Sequence, residues 1–423
     1  MKPTTQVDSN AAMSLGMNIR LSSMMFLQFF IWGGWFVTLG TFLSGNLGAS
    51  GPQVGMAFST QSWGAIVAPF IIGLIADRYF NAERILGVMH LLGAVLMYLM
   101  YQAQDFAEFY PLVFGYMMAY MPTLALVNSV AFAQMKRPAM EFGKIRVWGT
   151  VGWIVAGLAI SYLFAWDASD AIAQGMLKNT FLMCAVASLA LGIYSFSLPP
   201  VPPSQGKAAS IKDILGLDAL GLLKDSNYLV FFVASVLICI PLAFYYQNAN
   251  PFLTEIGVEN ATGKMTMGQA SEIMFMLLLP VFLQRFGIKF TLCIGMSAWV
   301  LRYVLFAFGD ADSGLFMLIL GIVLHGICYD FFFVSGQIYT DQKAGAKIKS
   351  AAQGLITLAT YGVGMLIGFA LAGQITECFK LGDGTDWTSV WLYPAGFAAV
   401  VLVLFFITFK KEYSYNSTQE TNR

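Results

Sequence analysis

Charge is scarce in this chain. Asp, Glu, Lys and Arg make up 11% of its 423 residues, less than half their share in soluble domains, while 58% are hydrophobic and Phe and Met alone number 36 and 23. So little charge cannot cover a water-facing surface, and the chain reads as resident in a lipid bilayer. An excess of one sign is missing too: 23 basic and 23 acidic residues cancel, which gives no footing to a nucleic acid or an acidic partner. Cysteine is sparse and unpatterned. The five, at 184, 239, 293, 328 and 378, include no C-x-x-C and mostly fall in apolar runs, so they read as packing residues, not disulfides or metal ligands. There is no phosphate-cradling Gly loop, metal-ligand cluster or nucleophile with a base at informative spacing, so no metal and no cofactor is expected. An enzyme or a receptor is the last reading, since it needs a reactive constellation or a sizeable soluble domain. A cleavable leader is not expected, because the run that begins near Leu21 is too long for one.

What the chain has in abundance is long apolar runs. Windows of about 20 residues mark segments near 21–45, 54–76, 85–103, 109–135, 146–165 and 179–198, then 228–252, 264–284, 288–308, 314–335, 351–374 and 389–409. Between the two sets of six lies the Pro-rich "LPPVPPSQGKAAS" (198–210), followed by a stretch to about residue 226 that could lie as a short helix on the membrane surface. The expected organisation is a first bundle over 1–198, a cytoplasmic linker over 199–227, a second bundle over 228–410 and a tail over 411–423. Basic residues accumulate in cytoplasmic loops. With the N-terminus inside, 19 of the 23 Lys and Arg fall on that side, three (Lys178, Lys264, Lys380) on the other, and Arg302 within a helix. That split fits an even number of crossings with both termini in the cytoplasm. The expectation is a multi-pass, monomeric protein of a bacterial cytoplasmic (inner) membrane.

Six helices, a linker and six more is the layout of the major facilitator superfamily, an all-α integral membrane fold of twelve helices in two six-helix bundles that rock about a midplane site. "GLIADRYFNAER" (73–84) resembles that superfamily's gating loop, with Gly73, Asp77 and Arg78 in place, and "PVFLQRFGIK" (280–289) resembles its degenerate copy in the second half.

Charges inside helices narrow the search. One at mid-membrane costs roughly 2.5–3.5 kcal/mol by insertion scales, so Arg146, Glu272, Arg302 and Asp330 together would cost on the order of 10 kcal/mol against lipid and must face a polar interior. For Arg302 a buried ion pair and a functional role weigh equally; for Glu272 and Asp330 an ion or proton pathway is favoured. Helical spacing puts Arg146, Thr150 and Trp153 on one stripe and Gln269 with Glu272 on another. Gln28, Trp32 and Trp35 line up on the first helix, and Gln353, Thr357 and Thr360 on the eleventh, where interhelical hydrogen bonding is the favoured reading. His325 shares a face with Tyr329, and Asp330 borders it. His325 reads as a pocket wall ahead of a proton relay. His90 has no evident partner and reads as packing. Stripes that mix hydrogen-bonding groups with rings suit a ligand that has a flat ring and several hydroxyls.

Taken with "FLQFFIWGGWFVTLGTF" (26–42), "IRVWGTVGW" (145–153), "WVLRYVLFAFGD" (299–310) and "YDFF" (329–332), the chain resembles the bacterial nucleoside:proton symporter family from end to end. The resemblance implies proton-coupled nucleoside uptake by alternating access, with nucleoside and proton as partners. It carries the family's binding and coupling residues onto Arg146, Thr150, Gln269, Glu272 and Asp330. Trp153, His325 and Tyr329 depart from the familiar aromatics, and Tyr246 stands near where the seventh helix supplies an amide. Proton coupling is expected at Asp330 and Glu272. A symporter for another neutral hydroxylated solute, such as a sugar, is the alternative.

Overall fold

A computed structural model describes residues 13–71, 79–203, 216–382 and 384–412. The gating-loop residues Gly73, Asp77 and Arg78, most of the Pro-rich linker and the C-terminal tail lie outside the described residues. Among the described residues, ten segments are long and apolar enough to cross a membrane, and two facts bring these to the expected twelve. Ala261–Phe308 spans 48 residues, about 72 Å if straight, over twice the hydrocarbon thickness. It is broken at Gly287, whose φ of 73° and ψ of 175° lie in a region open to glycine alone, and so supplies two crossings. Gly51–Ile71 is a further helix of 21 residues, long enough to cross but polar in its middle, where Ser59, Thr60, Gln61 and Ser62 are all buried.

The helices are α1 Leu15–Asn46, α2 Gly51–Ile71, α3 Ala82–Gln102, α4 Phe106–Ala133, α5 Met140–Leu163, α6 Asn179–Ser195, α7 Ser226–Glu255, α8 261–286, α9 288–308, α10 Leu315–Gly345, α11 Ile348–Cys378 and α12 Trp387–Thr408. Several begin on side-chain caps that occupy otherwise orphaned N–H groups. Asp105 accepts from Glu108 N at α4, Asp225 from Asn227 N and Tyr228 N at α7, and Asp386 from Ser389 N at α12. Close helix contacts use small residues as expected: a Cβ on Gly364 or Gly368 of α11 would lie within 3 Å of α7 atoms. The end of the linker, Leu217–Lys224, is a 3-10 helix that packs Ala219 against Ala352 and Leu355 of α11. The expected surface helix is therefore docked on the second bundle, because Ala219 finds an apolar protein partner there.

Among the described residues, the hydrogen bonds between the two bundles all lie at one end. Four hydrogen bonds link them among the described residues: Thr41 Oγ1 to Asn250 Oδ1 (2.6 Å), Gly51 N to Glu377 Oε2 (2.6 Å), Thr262 N to Asp167 Oδ2 (3.0 Å) and Gly263 N to Ser161 Oγ (2.7 Å). All lie at the end formed by the C-termini of α1, α5, α7 and α11 and the N-termini of α2 and α8. The backbones of α2 and α11 also touch there, where a Cβ on Gly51 would sit 2.3 Å from Gly373 O. At the opposite end Gln337, Gly354 and Thr357 are exposed.

Candidate functional site

Between the bundles lies a cavity of about 450 Å³, within the range of small-molecule sites. It reaches the open end through Gln337 and Thr357 and stops below the four bonds of the closed end. The first bundle supplies Arg146, Thr150 and Trp153 from α5; the second supplies Tyr246 from α7, Gln269 and Glu272 from α8, and His325 and Tyr329 from α10. The residues expected at a ligand site other than Asp330 thus come together on one surface. Helical spacing explains why, since each pair or triplet sits three or four residues apart on its own helix.

Local packing holds these groups. Trp153 lies against Trp32 with ring centroids 5.6 Å apart, and Gly33 leaves room for its indole: a Cβ there would be 2.6 Å from the Trp153 ring. The Arg146 guanidinium stands 4.0 Å from the centroid of Phe29, a cation–π contact. Tyr329 and Tyr361 share a hydroxyl–hydroxyl hydrogen bond of 2.6 Å. The Glu272 side chain is 19% exposed and its Oε1 lies 2.9 Å from His325 Nε2; His325 Nδ1 in turn is 2.9 Å from Arg302 Nη1. Gly326 N donates to Ser271 Oγ beside this chain, which pins α10 to α8.

Asp330 is placed differently. It follows the cavity-lining Tyr329, is 0% exposed, and neither carboxyl oxygen has a hydrogen-bond partner among the described residues. It opens a π-turn, Asp330–Val334, a feature that often marks functional positions in helices. No ion pair joins it to Arg146 in this conformation.

The other stripes divide. Of the α1 stripe, Trp32 lines the cavity, Trp35 is buried, and Gln28 is interhelical glue. Its Nε2 donates to Thr123 (2.7 Å) and its Oε1 lies 2.8 Å from His90 Nε2. His90, which the sequence left without a partner, therefore has two, the second being Ser188 Oγ at 3.1 Å. Of the α11 stripe, Thr357 lines the cavity and Gln353 bonds Asp341 and the Gln337 carbonyl. Sequence reasoning missed Gln61, Asn128, Gln337 and Tyr361 as wall residues. Tyr361 lies four residues past Thr357, so extending that stripe one turn would have found it; the lone amides gave no periodic signal.

Comparison with known proteins gives this geometry a family. The family model described as "Nucleoside H+ symporter" matches residues 15–414. YegT of Escherichia coli (strain K12) is 44% identical over 403 residues, covering 93% of each chain. The xanthosine permease of the same organism is 35% identical over 414 residues, with 94% of this chain and 96% of the permease covered. The crystal structure of the nucleoside transporter NupG superimposes with a TM-score of 0.83 at 30% identity, over 94% of this chain and 100% of that one.

Proposed function

Because the chain belongs to the nucleoside H+ symporter family, and so carries nucleosides together with protons across a membrane, we propose that the cavity between its bundles is where the two meet. The observation that carries this reading is a pair of carboxyl groups at one place in the fold: Glu272 at the cavity wall and Asp330 buried just past it. Gln269 and Glu272 hydrogen-bond the ribose hydroxyls. Trp153 and Tyr329 flank the base, and Arg146, Thr150, Tyr246 and His325 complete the wall. An ionised carboxylate in the place of Asp330 would lack both water and partners, at a cost of several kcal/mol. That burial supports Asp330 as the neutral acid in this conformation, with the proton leaving when water from the open end reaches it.

Residues 1–198 and 228–410 are the two moving bodies, and the linker helix docked on α11 travels with the second. The 19-to-3 division of basic residues supports a cytoplasmic side for both termini, and the Escherichia coli relatives support a bacterial inner membrane as the setting. The closed end then faces outward and the cavity opens inward, the state from which substrate is released. That one chain lines the cavity supports the monomer as the working unit. A sugar as substrate has no support from the family match.

The test is uptake of labelled uridine and adenosine into proteoliposomes, with and without an inward proton gradient. A proton crossing 100 mV delivers ~2.3 kcal/mol, which supports accumulation of roughly 50-fold at one proton per nucleoside. Accumulation that needs the gradient is the expected result; equilibration regardless of the gradient would refute the assignment of Asp330 and Glu272 to coupling.

A further inference from the structure

We infer that Arg302 and His325 are positioning residues that fix Glu272 as a hydrogen-bond acceptor at the cavity wall and that keep His325 from carrying the proton. The inference rests on the reading of Glu272 as the group that receives substrate hydroxyls. Its ground is the direction of two hydrogen bonds. A guanidinium has only donors, so at 2.9 Å from Arg302 Nη1 the His325 Nδ1 must be a bare acceptor. A neutral imidazole without a proton on Nδ1 carries it on Nε2, and that nitrogen lies 2.9 Å from Glu272 Oε1. The chain therefore runs one way, from Arg302 to His325 to Glu272. Glu272 is held by one oxygen, and its other oxygen is left to accept from a ligand.

The same direction excludes a second proton on His325. Adding one at Nδ1 would set N–H against N–H with two like charges in contact, and would cast off Arg302. Arg302 has nowhere else to go. It is 0% exposed, its Nε and Nη2 have no hydrogen-bond partner among the described residues, and it is packed against the face of Tyr245, 3.3 Å from centroid to guanidinium carbon, with Phe306 and Cys328 beside it. Cys328, one turn past His325 on α10, lies beside Arg302; the rings that face His325 itself are the same Tyr245, stacked on it from α7 with centroids 5.1 Å apart, and Tyr329 on its own helix at 6.0 Å. Neither is a competing acceptor for Nε2–H. Arg302 is thus the anchor that sets the tautomer, His325 transmits it, and the specificity of Glu272 for hydroxyl donors over acceptors follows.

The test is the concentration dependence of labelled-uridine uptake by the full-length protein in proteoliposomes at several pH values, with 2′,3′-dideoxyuridine as competitor. His325→Phe is expected to raise KM about tenfold, equivalent to ~1.4 kcal/mol, and to erase the preference for uridine over the dideoxy analogue. It should leave the maximal rate and its pH profile in place. His325→Gln, whose amide can accept from Arg302 and donate to Glu272, recovers most of the loss. Arg302→Met raises KM alone but adds little in the His325→Phe background, since both act through one group. Should His325→Phe fail to give a monodisperse peak in detergent, His325→Tyr takes its place, with an expected rise in KM of about fivefold. A shifted pH profile or lost accumulation at unchanged KM would make His325 a proton carrier and overturn the inference, as would simple addition of the Arg302 and His325 effects. Glu272→Gln separates this from the parent reading: if that variant keeps the original KM, the role of Glu272 fails; if its KM rises while that of His325→Phe does not, the positioning relay alone fails.

Discussion

The chain's two histidines each sit at the centre of a buried polar cluster, one in each bundle, and the two clusters differ in one respect. Around His90 in the first bundle, Gln28, Thr123 and Ser188 are neutral, and none of these four side chains has an unbonded buried atom. Around His325 in the second bundle the partners are Glu272 and Arg302, and the neighbourhood is left unfinished: two nitrogens of Arg302 and both oxygens of Asp330 lack hydrogen-bond partners among the described residues. A fully satisfied network specifies one packing and resists change. A charged network with open valences is costly to keep buried, and it persists where a ligand or proton completes it. The first cluster is a brace; the second is the working part.

That contrast can be broken in graded steps. The largest effect is expected from Asp330→Asn, which removes the proton acceptor without removing the shape: accumulation of uridine falls from roughly 50-fold to parity, while exchange of labelled for unlabelled uridine across the proteoliposome membrane continues. Next is the brace itself. His90→Ala leaves Gln28 Oε1 without a partner in the interior, while Ser188 keeps its bond to the residue-90 carbonyl; an unpaired buried polar group costs about 1–3 kcal/mol. The expected result is a melting temperature in detergent several degrees lower with KM unchanged, the converse of what the second cluster gives. Asn250→Ala then loosens the closed end by removing the bonds to Thr41 and Thr262. A net loss of about 1 kcal/mol moves the balance of the two conformations severalfold toward the opposite opening, read as faster labelling of a cysteine placed at Thr266, which is buried against Gly157 of the other bundle. The smallest effect belongs to Asp225, far from both clusters at the start of α7. The hydrogen bond from Lys343 at 2.8 Å, aided by the amides it caps, holds its carboxyl below the usual carboxylate range. Its contribution is present above the ordinary carboxylate value near 4 and is lost as pH falls through the lower folded value. Asp225→Asn should cost under about 1 kcal/mol at neutral pH, the side chain being half in water, and nothing in strong acid.

How much of this could be read from the sequence differs between the two clusters for a physical reason. Twelve crossings, the two bundles and the cavity stripes on α5 and α8 follow from hydropathy and a period of 3.6, because lipid forces every exposed face to be apolar and every polar residue inward. A charge in a helix announces itself, so Glu272, Arg302 and Asp330 stood out. Which partner each one meets depends on the rotation and packing of three different helices, and no local signal carries that. Arg302 could therefore be weighed only evenly between ion pair and function, and His90, neutral and paired across α1 and α6, gave no sign of its partners. At Gly287 the sequence and the backbone agree: the apolar runs separate α8 from α9 on either side of a short polar stretch, and the chain turns there through a conformation open to glycine alone.

The central claim is that the unfinished cluster moves the proton with the substrate. The most direct measurement is the pH inside proteoliposomes loaded with a fluorescent pH indicator, followed after uridine is added outside with no proton gradient imposed. The protein is predicted to acidify the lumen as uridine enters, and Asp330→Asn to admit uridine with no acidification. Acidification that persists in Asp330→Asn, or uridine entry without proton entry in the unaltered protein, would contradict the account.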